Sequence, residues 1–130
     1  MPQRSAAIII KDGKILLMRR RKNTQEYFTI PGGTIEAGET PQLAAIREVM
    51  EETGLSVEID WLLFEFDGIS GREYFFVTKN ISGEEKLGGP EARINCQENF
   101  YELAWIELNE VSKLKLFPPE IKAIILETAF

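Results

Sequence analysis

Apolar residues fall in short runs separated by turn-forming residues. Residues 6–10 and 15–18 are rich in Ile and Leu, and Asp12-Gly13 between them is a strong hairpin signal. Thr40-Pro41 reads as a helix start, with Thr as N-cap and Pro at the first helical position. The helical pattern continues to Thr53, and Gly54 supplies the stop. Strand-like segments follow at residues 55–66, 73–78 and 100–108, rich in Val, Ile, Phe, Tyr and Trp. Between the last two lies a polar stretch from Ser82 to Glu98, a loop long enough in a small domain to suggest a functional role. Pro118-Pro119 then opens a final helix with Ile121, Ile124 and Ile125 on one face. This mixture of strands, hairpins and helices predicts an α/β or α+β sandwich, and argues against an all-α or all-β fold.

Each residue of a helix advances about 100° around the axis. In the helix after Thr40, that rotation groups Leu43, Ile46, Val49 and Met50 on one side, predicted to face the core. Glu48, Glu51 and Glu52 are predicted on the opposite side, flanked by Ala44 and Ala45, which leave room for a ligand.

Composition narrows the chemistry. With 130 residues, the chain is expected to form a single domain, 1–130. There is no histidine, which excludes Ser-His-Asp and Cys-His nucleophile pairs, His-ligated zinc and an imidazole base. A lone cysteine, Cys96, excludes an intramolecular disulfide and any CxxC motif. The net charge of −6 argues against a nucleic-acid polymer as partner. No apolar run approaches the roughly 20 residues needed to span a bilayer, so no membrane association is expected and a cytoplasmic location is the default reading.

The acids are not evenly spread: Glu36, Glu39, Glu48, Glu51 and Glu52 lie within one short stretch. As a solvated face, three helical glutamates need no function. Their frame changes that reading, with Gly32-Gly33 before the helix, Glu39 at its mouth, Arg47 beside the glutamates and Gly54 at its end. Clustered carboxylates beside a backbone carbonyl make an oxygen-only site suited to Mg²⁺ or Mn²⁺.

Gly33, five residues, Glu39, seven residues, then Arg47-Glu48-Val49-Met50-Glu51-Glu52-Thr53-Gly54-Leu55 fills every fixed position of the Nudix box, residues 33–55. The chain therefore resembles the MutT-like Nudix hydrolases. That resemblance implies an α/β/α sandwich around a mixed sheet. It also implies hydrolysis of a small-molecule nucleotide substrate, a nucleoside diphosphate linked to another moiety, by water attack on phosphorus with Mg²⁺ or Mn²⁺ as cofactor. By the same resemblance Glu48 and Glu52 are metal ligands, joined by Glu51 and the Gly33 carbonyl. Arg47 orients the glutamates, and Glu39 supports the loop.

Outside the box, the resemblance points to a general base in the loop before a late strand, where Glu98 is the first candidate and Glu91 the second. Arg19 and Arg20, in the basic run Arg19-Arg20-Arg21-Lys22, are candidates for the substrate phosphates; a solvated strand end is the plain alternative for at least two of the four. Tyr27 and Phe28 are candidates for stacking on a nucleobase, although alternation with Ile30 equally suits Phe28 to the core. Glu120 stands where some relatives that cleanse oxidised guanine nucleotides read the base with Asn. Ser70-Gly71 stands where ADP-ribose-specific relatives tend to have Pro. The substrate is therefore left open. Many relatives are homodimers, so a homodimer is an expectation too, without an interface located. A Nudix fold kept as a nucleotide sensor or interaction module is the alternative function, but such proteins usually lose a box glutamate and all four remain.

Overall fold

The computed structural model describes residues 2–69, 71–88 and 99–130. Among these residues, nine strands and two α-helices follow the order β1 (Arg4–Ile8), β2 (Ile10–Lys11), β3 (Lys14–Lys22), β4 (Gln25–Thr29), β5 (Gly32–Thr34), α1 (Pro41–Thr53), β6 (Ser56–Gly68), β7 (Gly71–Ser82), β8 (Asn99–Glu107), β9 (Leu116–Phe117) and α2 (Pro119–Glu127). A 3₁₀ segment, Leu108–Lys113, joins β8 to β9. The predicted α/β architecture is present, but its strands divide between two mixed sheets.

The first sheet has the order β5-β1-β7-β6, with β1 and β7 parallel and the other pairs antiparallel. In the second, β3 is flanked by β8 on one side and by β2 and β4 on the other, and β9 runs parallel to β4. The hairpin signal was sound: Asp12 and Gly13 take φ values of 53° and 75°, as a tight primed turn between β2 and β3 requires. The first apolar run, however, is broken between sheets, with Ile8 ending β1 and Ile10 opening β2.

Alternation along the strands feeds two cores. Ala7, Ile9 and Leu16 pack with Val49 of α1 and with Leu55 and Val57. Ile8, Ile15 and Leu17 point the other way, into a larger cluster with Phe28, Phe75, Val77 and the α2 residues Ile121 and Ile125. Ile124 packs against that cluster as a partly buried neighbour. The helices thus lie on opposite sides of the sheets, which is the α/β/α arrangement.

Candidate functional site

The acidic helix is fixed at both ends by its own sequence. The Leu43 amide donates to Thr40 Oγ1 at 3.2 Å, Pro41 occupies the first turn, and Gly54 closes the helix at φ 75° with its N–H donating to Met50 O. Ser5 of β1 donates through Oγ to Pro41 O at 2.6 Å, which ties the helix start to the sheet.

The rotation of α1 corrects the helical-wheel expectation. Leu43 and Met50 are 57% and 49% exposed, whereas Ala44, Ala45, Val49, Glu52 and Thr53 are buried and Ile46 is intermediate. Small alanines let the helix lie close against β1 and β5, where bulky Leu43 and Met50 would hold it away. Ala44 and Ala45 are therefore packing residues and do not open space for a ligand. Glu52 is not on a solvent face: it turns inward, and its Oε2 accepts from the Gly32 amide at 3.1 Å.

Both glycines of β5 are required by close approach. A Cβ at Gly32 would collide with the backbone of Ser5 and Ala6, its antiparallel neighbours on β1. A Cβ at Gly33 would collide with the Glu48 carboxyl group, so that carboxylate lies directly against the β5 backbone.

Arg47 organises the remaining acids. Its Nε donates to Glu39 Oε2 at 2.7 Å and its Nη2 to Glu39 Oε1 at 3.0 Å, a two-pronged pair. Its Nη1 donates to Glu48 Oε1 at 3.0 Å and Glu51 Oε2 at 3.1 Å, and Nη2 also reaches Thr34 O at 3.0 Å. Glu39 in turn accepts from the Glu36 amide at 2.8 Å, closing the loop before the helix. The guanidinium bond, helped by that amide, holds the Glu39 carboxyl below its usual range. Glu48 moves the opposite way: desolvation raises its pKa, outweighing the nearby Arg47.

One cavity reaches this cluster at Gly32 and Glu52, and a second continues from it. The smaller, about 170 Å³, is lined by Arg4, Arg20, Thr29, Ile30, Gly32, Glu52 and Tyr101, among others. The larger, about 510 Å³, shares Arg4, Thr29 and Ile30 with it, and extends between Phe66, Phe75 and Phe117 to Glu73 and Glu120. The shared residues make them two ends of one cleft.

Arg20 and Arg19 separate clearly. Arg20 stacks over the Tyr101 ring at 3.6 Å, donates to Asn99 Oδ1 at 2.8 Å and lines the cavity beside Glu52. Its Nε is buried without a hydrogen-bond partner among the described residues. Arg19 instead pairs with Glu26 at 2.9 Å and Glu102 at 3.4 Å, and lines neither cavity. Tyr27 lies beside Arg20 and meets Phe117 edge-on at 5.6 Å. Phe28, only 7% exposed, belongs to the larger core, as its alternation with Ile30 suits, and its ring is spent on packing rather than on a base. Glu120 does line the larger cavity, while Glu98 and Glu91 lie outside the described residues. Sequence reading missed Arg4, Thr29 and Glu73, which carry no motif and meet only through the pairing of β1 with β7 and the approach of β4.

Among the described residues, no three acidic or cysteine side chains stand in the geometry of a metal cage. Arg47 draws Glu48 and Glu51 to itself. The donor set still fits a hard divalent cation in kind, because every available donor is an oxygen. Gly33 keeps its backbone open to the Glu48 carboxylate, and a cation would offset a charge that burial disfavours.

Fold and site together define a Nudix-type domain: a glycine strand, an arginine-clamped glutamate helix and a cleft between two sheets. The NUDIX domain profile matches residues 1–127, and the chain belongs to the Nudix family. It is 34% identical over 108 residues to an ADP-ribose pyrophosphatase of Methanocaldococcus jannaschii, covering 82% of this chain and 62% of that protein. The chain thus spans less than two thirds of that relative's length, and only 36% of a MutT-like protein of Streptomyces ambofaciens. Among solved structures it is similar to a MutT NUDIX hydrolase from Burkholderia pseudomallei, with a TM-score of 0.71, 26% identity and coverage of 99% and 98% of the two chains. No helix among the described residues is long and apolar enough to cross a membrane.

Proposed function

We propose that this chain is a pyrophosphohydrolase that hydrolyses a nucleoside diphosphate linked to another moiety by water attack on phosphorus, taking a nucleoside triphosphate or related small nucleotide and Mg²⁺ or Mn²⁺. The observation that carries this reading is the Arg47 clamp, which gathers Glu39, Glu48 and Glu51 above the Gly33 strand while Glu52 is buried beside Gly32. Glu48, Glu52 and Glu51, with the Gly33 carbonyl, would hold the cation. When bound, such an ion neutralises phosphate charge and lowers the pKa of coordinated water.

The chain's own residues account for the rest. Arg20, stacked on Tyr101 and hydrogen-bonded to Asn99, offers a fixed guanidinium to phosphate oxygens in the smaller cavity. Arg4 offers a second cation at the junction of the two cavities. The larger cavity is of a size suited to a nucleoside, with apolar walls and a few polar groups. Arg47 positions the glutamates, and Glu98 is the proposed general base.

The test is a panel of nucleoside triphosphates, nucleotide sugars, dinucleotides and ADP-ribose with Mg²⁺ or Mn²⁺, with product analysis to identify the bond cleaved. Turnover that is lost in Glu51→Gln and Glu52→Gln supports the proposal. No turnover on any of them would sink it, and tight binding without turnover would favour a nucleotide sensor.

A further inference from the structure

The larger cavity holds a carboxylate that the reaction does not use. Glu73 sits on β7 beside Arg4 of β1 in the parallel pairing, on the same face as Phe75 and Val77. It is partly buried, and its carboxyl lies so close over Gly68 that a Cβ there would collide with it. Among the described residues no hydrogen bond or ion pair holds that carboxyl; Arg4 and Glu120 are the charges that act on it. Desolvation is the main influence on it and raises its pKa. Asp67, by contrast, already pairs with Arg72 at 3.1 Å and is largely exposed. Glu73 is therefore an acceptor without a donor, set in a cavity walled by Phe66, Phe75 and Phe117.

A partly buried carboxylate of this kind, lining a cavity, is satisfied by a ligand bringing N–H donors, and two donors on adjacent atoms match its two oxygens. Among the common nucleobases, guanine presents such a pair on one edge, the N1–H and the N2 amino group. Adenine and cytosine place an acceptor ring nitrogen beside their amino group, which would face the carboxylate with like polarity. Uracil offers one N–H between two carbonyls. Arg4, from the opposite sign, is a donor available to ring or carbonyl acceptors or to the sugar–phosphate.

We infer that Glu73 is a specificity-determining residue which, with Glu120 beside it, selects a guanine base in the larger cavity. This inference rests on the proposed nucleotide hydrolysis for its biological meaning, but not for its test. The first measurement is calorimetric binding of GMP, IMP, AMP, CMP and UMP to the unmodified protein without divalent metal. IMP differs from GMP only in lacking the N2 amino group. GMP is expected to bind about tenfold or more tightly than IMP or AMP, the loss expected when a donor leaves a cavity-lining acceptor unmatched. Glu73→Gln, whose amide offers one donor and one acceptor, is expected to erase the GMP preference and shift selectivity toward AMP. In turnover, kcat/KM for GTP or dGTP is expected to exceed that for ATP, CTP, UTP and ADP-ribose by a similar factor.

Equal affinity for GMP, IMP and AMP in the unmodified protein, or ADP-ribose as the best substrate, overturns the inference. Hydrolysis of several nucleotides without guanine preference overturns it while leaving the proposed function intact. Selective GMP binding with no hydrolysis does the reverse.

Discussion

The Glu52 carboxylate accepts a hydrogen bond from the Gly32 amide at 3.1 Å, joining the buried side of α1 to the strand that precedes it. An acid inside the protein is thereby held by backbone, at a strand whose glycine admits no side chain. Glu52→Gln keeps a carbonyl oxygen able to accept that bond but removes the charge. It is expected to lower kcat by roughly 100-fold or more if Glu52 holds a cation, while stability moves by less than about 1 kcal/mol. Glu52→Ala leaves the buried amide without this acceptor and is expected to cost about 1–3 kcal/mol. Single-turnover rates and urea midpoints for both variants separate the two effects.

Arg47 is expected to resist even its conservative replacement. Lysine carries one point of charge where Arg47 uses three nitrogens to reach Glu39, Glu48, Glu51 and Thr34 O. Arg47→Lys is expected to reduce kcat about 10–100-fold through misplaced carboxylates. Mg²⁺ titration of activity should show weakened metal dependence in parallel. An unchanged rate would remove Arg47 from the positioning role.

Glu39 and Glu48 are expected to give pH effects of opposite sign. Glu39 is held below the usual carboxylate value of 4.5, so its pairing stabilises the fold above that value and is lost as pH falls through the depressed one. The Tm gap between wild type and Glu39→Gln should therefore be widest near neutrality and close in acid below pH 4.5.

Glu48 is raised from 4.5 by burial, so its ionised form weakens the metal-free fold above the raised value, and acid relieves the cost. Glu48→Gln is expected to raise Tm by about 2 °C at neutral pH without metal, while suppressing turnover. Thermal scans with and without Mg²⁺ check this directly, since added metal should stabilise wild type and not the variant. A lowered Tm in the metal-free variant would contradict the expectation.

The two neighbouring arginines should respond differently to alanine. Arg20→Ala is expected to raise KM about tenfold or more, because a charge-assisted phosphate contact and the Tyr101 stack are lost together. Arg19→Ala removes surface ion pairs to Glu26 and Glu102, and is expected to change KM little and stability by under about 1 kcal/mol. Steady-state kinetics on one substrate decides between them.

Much of the site was legible because its determinants are local. Thr40, Pro41 and Gly54 cap a helix through neighbours within a few residues, and Asp12-Gly13 turns a hairpin the same way. The helix's rotation was not legible. A wheel drawn on hydrophobicity favoured Leu43 and Met50, but the strands beneath favoured the small side of Ala44 and Ala45, and Glu52 found an amide there. Arg19 and Arg20 are adjacent in sequence and alternate in facing, so only the sheet could say which one meets the cleft.

By itself, the sequence determined the acidic helix, its caps, the glycines before it and the chemistry left to a chain without histidine. These follow from residue type, spacing and short-range hydrogen bonding. Tertiary structure alone decided which glutamate is buried, which arginine joins it, and that Arg4 and Glu73, 69 positions apart, line one cavity through the parallel pairing of β1 and β7. Strand pairing across such separations is set by the packing of the sheets and helices against one another, and no local pattern encodes it.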